Sequence, residues 1–532
     1  MTFRDIAAAA AILFLLQSGT VRGEEPALGS ISFPNSGSAE AQSAFLTGVK
    51  ALHSFQFDEA RMAFEEAQRI DPSFALAYWG QAMSDNHPLW AQQDIDAAAT
   101  ALTRLARTFQ ERLAKAPTDK EKAYLQAIEI LYFSPGDKLT RDLAYADAMA
   151  RMHARWPRDH EIAIFYSLSL LGTVRPGDRG FRRQALAASI AQQVFASNPK
   201  HPGAAHFIIH SFDDPDHAVL ALPAAEVYAD IAPAAAHALH MPSHIFLQLG
   251  MWQRVVDSNV DAYAAAVANN EKYGLPEGRE DFHTLSWLAY ANLMLGHSER
   301  AEENLSRARA AVDRNPGVGR VYDGYLEMQG RHIVESGDWR DLELAPAETS
   351  DGGNPYWVSV VGMSAAQSGR AERASAAEAR LRQLAGDAEA NGKSYDAMLI
   401  AILEKQVAAL RLLVGGDAEA AVALASEAAD LEVGHMRVPS GPPRPMKPAA
   451  ELYGDVLMAA GRPADAVAAY ERALDWIPQR TPSLLGLAQA ALASGDRAMA
   501  MDTYARLRDM PGANPDGPAV RAAVAALSAA GD

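Results

Sequence analysis

Two pairs of histidines carry the clearest chemistry in this sequence. His206 and His210 stand four residues apart, as do His240 and His244, and the second pair follows the first by 34 residues. An i, i+4 spacing sets both rings of a pair on one helix face, one turn apart. A proline repeats with the same step, Pro199 to Pro233, so one imidazole pair stands at the same place in two consecutive structural units. Four nitrogens converging on one point suit Zn²⁺, Cu²⁺ or Fe²⁺. The chain has no cysteine, which removes thiolate ligands, cysteine nucleophiles and disulfides together and leaves His, Asp and Glu to hold a metal. A metal with an open position would activate water, O₂ or a substrate, so a metal-dependent hydrolase and an oxidoreductase are both compatible with these residues.

Neighbouring residues divide between chemistry and structure. Asp213, Asp214 and Asp216 in SFDDPDH either orient a ligating imidazole and act as base, or serve the turn at Pro215. Glu161 and His283 are further proton-handling candidates. Pro242 lies between His240 and His244. It either kinks one helix and re-aims the two rings, or opens a helix of its own with HALHM as loop. His53 and His87 are also 34 apart; they either face the central site or fill turns, and Trp90 offers an aromatic wall beside His87. His217 falls at a turn, and His153, His160, His297, His332 and His435 follow no pattern, so all six are expected at the surface. The sequence contains no HExxH, no GxSxG and no phosphate loop.

The elements that must position these residues are helices. Aromatic residues make up 8% of the chain, alanine is abundant and no stretch alternates with period two, which predicts an all-α protein. The 532 residues carry a formal charge of −18 with no basic cluster. Nucleic acid and anionic membrane surfaces are therefore excluded as partners. The first 23 residues, a charged start followed by IAAAAAILFLL and small residues at Val21 and Gly23, read as a signal peptide cut after Gly23. The apolar run is too short for a comfortable span, so the mature chain is expected to be periplasmic or secreted, with no transmembrane segment.

Gly48, Phe57, Ala60, Phe64, Ala67 and Pro72 fall at consensus places of a 34-residue helical hairpin. Gly461 and Gly495, Ala466 and Ala500, and Tyr470 and Tyr504 each repeat 34 residues apart. With these residues the chain resembles the tetratricopeptide repeat superfamily. The resemblance implies a right-handed α-α superhelix in which each repeat contacts mainly its neighbours, and the interruptions near 94–116 and 264–281 could bend or close it. Residues 24–40 read as a flexible lead-in, 41–199 as N-terminal repeats and 200–296 as the histidine-bearing centre. Residues 297–435 read as degenerate repeats, 436–448 as a Pro/Gly loop and 449–532 as C-terminal repeats. In that family the positions of His206, His210, His240 and His244 line the concave groove. So do those of His237, His283 and Tyr290, and His87 stands near the groove's end. The signature HPGAAHFIIH…HALHMPSHIF is similar to one in exported bacterial repeat proteins, a likeness that implies fold and no reaction. The expected function is a metal site in the groove, serving an enzyme or metal-dependent binding protein that takes a small molecule or peptide. The alternative is a non-catalytic scaffold for a peptide or protein partner.

Overall fold

The computed structural model describes residues 27–178, 180–344 and 353–531; the expected signal peptide lies outside them. Helical hairpins succeed one another along the chain. Among the described residues the strands are two short ones, Asn86–His87 and Gln92–Gln93, paired around Pro88–Trp90. The hairpin rule is legible at both ends. An added Cβ at Gly48 would come within 2.8 Å of the Phe64 ring and one at Gly80 within 2.3 Å. Three helices, Gln42–His53, Phe57–Ile70 and Ala75–Met83, therefore close on one aromatic plug that only glycine admits. Gly454 and Gly486 do the same around Tyr470, at 2.8 and 2.4 Å. Gly461 and Gly495 end helices in the left-handed region, at φ +74° and +93°, where glycine carries no Cβ penalty. The fold is an all-α, tetratricopeptide-type superhelix. No described helix is long and apolar enough to cross a membrane.

Contacts between segments distant in sequence close the superhelix. The stretch expected as a flexible lead-in is, from residue 27 onward, an extended strap. Ser30 N donates to the Lys200 carbonyl and Asn198 Nδ2 to the Ser30 carbonyl, at 2.9 and 2.8 Å. Phe33 is buried among Phe45, Trp79 and Tyr124. Apolar anchors and backbone pairing override a composition rich in Gly, Ser and Pro. The interruption after the long helix Trp252–Tyr273 returns to the first hairpin, where Arg279 pairs with Asp58 at 2.8 Å.

At the other end, Trp252 Nε1 donates to the Gln479 carbonyl at 2.8 Å and Asn514 N to the Leu295 carbonyl at 2.8 Å. The strongest tie is Arg480, fully buried. It donates to both oxygens of Glu335 at 2.8 Å, to Glu451 at 2.6 and 3.1 Å, and to the Tyr290 hydroxyl at 3.1 Å. Desolvation opposes the charge on Arg480, but Glu335 and Glu451 outweigh it and hold the guanidinium protonated. Removing one member of such a network leaves its partners as uncompensated buried charges, at about 3–5 kcal/mol. Arg480→Met is therefore expected to lower the thermal midpoint and to raise hydrogen exchange in both Glu280–Met294 and Thr481–Ser494, two of the four helices it joins. Exchange unchanged in either helix would show that the closure does not depend on this residue.

Candidate metal centre

Six imidazoles, from His206, His210, His237, His240, His244 and His283, meet at the centre of the closed superhelix in two groups of three. In each group one nitrogen per ring lies within 4.8 Å of the others. The first group joins His206 and His210, on the helix Pro202–Ser211, to His237 on the short helix Ala236–His240. The second joins His240, on that same short helix, to His244 on Pro242–Gln248 and His283 on Glu280–Met294. Pro242 is the first residue of its helix. The HALH segment ahead of it is a separate helical turn, so the break gives His237 and His240 directions that one continuous helix would deny them. The two groups are adjacent: ring centroids are 5.9 Å apart for His210 and His244, and 6.1 Å for His237 and His240.

The hydrogen bonds fix the tautomers. His206 Nδ1 lies 2.6 Å from the carbonyl of His53, a group that can only accept, so Nδ1 carries the proton and Nε2 a bare lone pair. His244 Nδ1 faces Asp213 at 2.7 Å and His237 Nδ1 faces Glu280 at 3.1 Å, so each of these Nδ1 atoms also carries a proton. His240 Nδ1 donates to Asn259 Oδ1 at 2.7 Å, and Asn259 Nδ2 donates to the Val255 carbonyl at 2.8 Å, which settles the amide's orientation. The Nε2 atoms of His206, His210 and His237 are buried without a hydrogen-bond partner. In the other group, His240 Nε2 stands 3.1 Å from His244 Nε2 and 2.9 Å from His283 Nε2. On His240 that atom presents a lone pair, which accepts a proton from a neighbouring ring or, with all three atoms turned inward, is shared with a cation.

Burial keeps His206, His210 and His240 neutral. Desolvation first, and neighbouring imidazoles after it, hold His206, His210 and His240 well below the ordinary histidine range. Neutral imidazole is the metal-binding form. Phe55, a non-glycine residue at φ +53°, lays its ring against His206, His210 and His237 at 4.5, 5.6 and 5.6 Å. Trp287 backs the second group, 4.8 Å from His240 and 4.4 Å from His244. A cavity of about 670 Å³ opens onto His210, His237, His244 and His283. The loop around 436–444 roofs it, tied down by Gln248 Nε2 donating to the Pro439 carbonyl at 2.9 Å.

The four histidines expected to share one site are thus divided, and two others complete the groups. His237 is a full member of the first. His283, expected to handle protons, stands in the second as a would-be ligand. Asp213 takes the orienting role, while Asp214 and Asp216 serve the turn. Three expectations are corrected. Glu161 lies outside the central groups: it joins His53 Nε2 at 2.8 Å and His201 Nε2 at 3.2 Å in a separate, fully buried cluster. Tyr290 is buried behind the groove against Arg480, its inward turn set by that ion network. His332, expected at the surface, is half-buried and lines the cavity.

His87 stacks on Phe57 at 4.0 Å, away from the central rings. His53 contributes its carbonyl instead of its ring. Sequence reasoning missed His201, Asn259, Phe55, Glu280 and Trp287. Of these, Glu280, three residues before His283, and Trp287, four beyond it, carried spacings that would have placed them on its face.

The Glu161 cluster holds its own charge balance. Desolvation pushes the carboxyl up, but the charge and hydrogen bonds of His201 and His53 outweigh it and hold it at about 2. A carboxyl lowered on folding contributes stability that is complete above its unfolded value near 4.5 and is lost as pH falls through about 2. Glu161→Gln is expected to remove that contribution, on the order of 3 kcal/mol. The stability difference between the two proteins should therefore be widest above pH 5 and shrink towards pH 2, as read from chemical unfolding at each pH. A difference independent of pH would contradict the assignment.

Residues 457–527 match the family model described as "Tetratricopeptide repeat". No curated protein matches the sequence. Among solved structures, the chain is similar to a human IFIT1 dimer with m7Gppp-AAAA, at 14% identity over 94% of this chain and 92% of that one, with a TM-score of 0.33. It is similar also to Cut9 in the Cut9–Hcn1 assembly, at 12% over 94% and 79% with a TM-score of 0.33. For yeast Tom70 the values are 10% over 92% and 89%, with a TM-score of 0.28. Their ligands and partners carry no weight for this chain at such scores. The repeats matched at the C-terminal end and the hairpin at the start share one glycine–aromatic–glycine packing, that of the tetratricopeptide-type fold.

Proposed function

We propose that the protein is an exported, metal-dependent enzyme of the helical-repeat class. It holds two transition-metal ions side by side, one on His206, His210 and His237 and the other on His240, His244 and His283. The observation that carries this reading is the set of tethered Nδ1 atoms: four rings are locked with their Nε2 atoms turned toward the other rings of two close groups. All-imidazole sets of this kind suit Zn, Cu or Fe. Three ligands leave each ion a further position, and two neighbouring ions can share a bound water or oxygen and clamp a reacting group between them. Asp213, Glu280, Asn259 and the His53 carbonyl would orient the ligands. Export rests on the signal-like residues 1–23 alone. A small molecule fits the roofed cavity better than an extended peptide, because the loop around 436–444 covers the groove over the rings.

Elemental analysis of tag-free protein, purified without chelator, tests the proposal. About two equivalents of metal per chain are expected. His237→Ala and His283→Ala should each retain about one, and the double variant none. Less than half an equivalent after incubation with Zn, Cu and Fe, in a chain whose helical signal is intact, would overturn the reading. Asp213→Asn should weaken metal at the second group by about 10- to 100-fold while sparing the first.

A further inference from the structure

We infer that the cavity over the imidazoles takes a small organic acid, a carboxylate on an apolar body, and that Arg331 receives the carboxylate. Arg331 is 3% exposed and lines the cavity. Its Nη2 donates to the Pro443 carbonyl at 3.0 Å, while Nη1 is buried with no hydrogen-bond partner. Glu327, the nearest carboxylate, lies 3.9 Å away, and both its oxygens are taken by Arg444 at 2.6 Å. The guanidinium lies over the Tyr290 ring at 5.3 Å, which fixes its plane. A buried, charged donor left unmade is costly, and a carboxylate is the group whose geometry it matches.

The rest of the cavity agrees. Arg331, Arg437 and Arg444 line it against Glu327 and Asp213, and those two acids are engaged by Arg444 and by His244 with Gln248. In a chain of net charge −18, a local excess of cations marks a place for an anion. Trp90, Leu293, Met328, Tyr356 and Leu399 supply apolar walls, and about 670 Å³ is ample for a ligand of this class. The acid would lie across the metal groups, so the inference rests on the proposed function for its purpose. Recognition by Arg331 can be tested without metal.

Calorimetric titration of the full chain, metal-free and Zn-loaded, with 4-phenylbutyrate and with 4-phenyl-1-butanol, reads the inference. The acid should bind at least ten-fold more tightly than the alcohol in both forms. Arg331→Met should abolish that preference while leaving the melting temperature and metal content unchanged. Should that variant fail to fold, Arg331→Lys, which keeps the charge but loses the fixed fork, should reduce the preference at least three-fold. Equal binding of acid and alcohol by the unaltered chain, or a preference surviving Arg331→Met, would overturn it. A chain that takes up no metal yet prefers the acid defeats the metal reading alone, whereas two metals without acid preference defeat this inference alone.

Discussion

The tethering of four of the six imidazoles by Nδ1 is the constraint on which the centre depends. A neutral histidine has one donor and one acceptor nitrogen, so fixing the donor on the protein decides where the acceptor points. The tethers come from segments far apart in the chain. The His53 carbonyl belongs to the end of the first hairpin, Asp213 to a helix end, Asn259 to the long helix after Pro242, and Glu280 to the helix beyond the interruption. The rings can converge only if the superhelix brings those segments together. The buried Glu161 cluster has the same logic at one remove. It grips the ring of His53, whose carbonyl in turn fixes His206. Gly203 lets that ring approach, since a Cβ there would come within 2.8 Å of His53 Nδ1.

The regrouping of the four repeated histidines follows from repeat geometry. Neighbouring helices pack at roughly 8–10 Å between axes, a gap that one imidazole reaching across from the next helix closes for each pair. Each pair reaches forward to the next helix for its third ring: His206 and His210 to His237, His240 and His244 to His283. The 34-residue step was therefore the right clue to equivalence and the wrong clue to shared ligation. The spacing of His237 and His283 within their repeats pointed at the groove, and the break at Pro242 turned that groove position into a member of a centre.

Much of the fold was legible because the repeat writes itself locally. Gly48 with Phe64, and Gly454 with Tyr470, are short-range pairs whose spacing is set by one hairpin. What could not be read was closure, because it rests on pairings with no periodic signature: Arg480 with Glu335, Asn514 with Leu295, Ser30 with Lys200. Tyr290 shows the difference. Its register places it on the groove side of an open superhelix, but the returning C-terminal repeats supply Arg480 behind it, and the hydroxyl turns to that charge. Glu161, equally, has two buried histidines, His53 and His201, closer to hand than the central rings.

Closure also links the two halves of the site. Arg331 and Glu335 lie one turn apart on the helix Gly319–Ser336. Glu335 is clamped by Arg480 from the C-terminal repeats, and Arg331 is capped by the Pro443 carbonyl from the loop that precedes them. The same return of the chain that seals the superhelix therefore fixes the helix facing the imidazoles and holds Arg331 in the wall of the cavity. A groove open along its length would leave Arg331 hydrated and weakly selective. Roofed by the loop and walled by Trp287, it is a desolvated donor, and in that setting one charged hydrogen bond discriminates strongly between an acid and its neutral counterpart. The histidine centre and the anion pocket are two consequences of one closed ring of repeats.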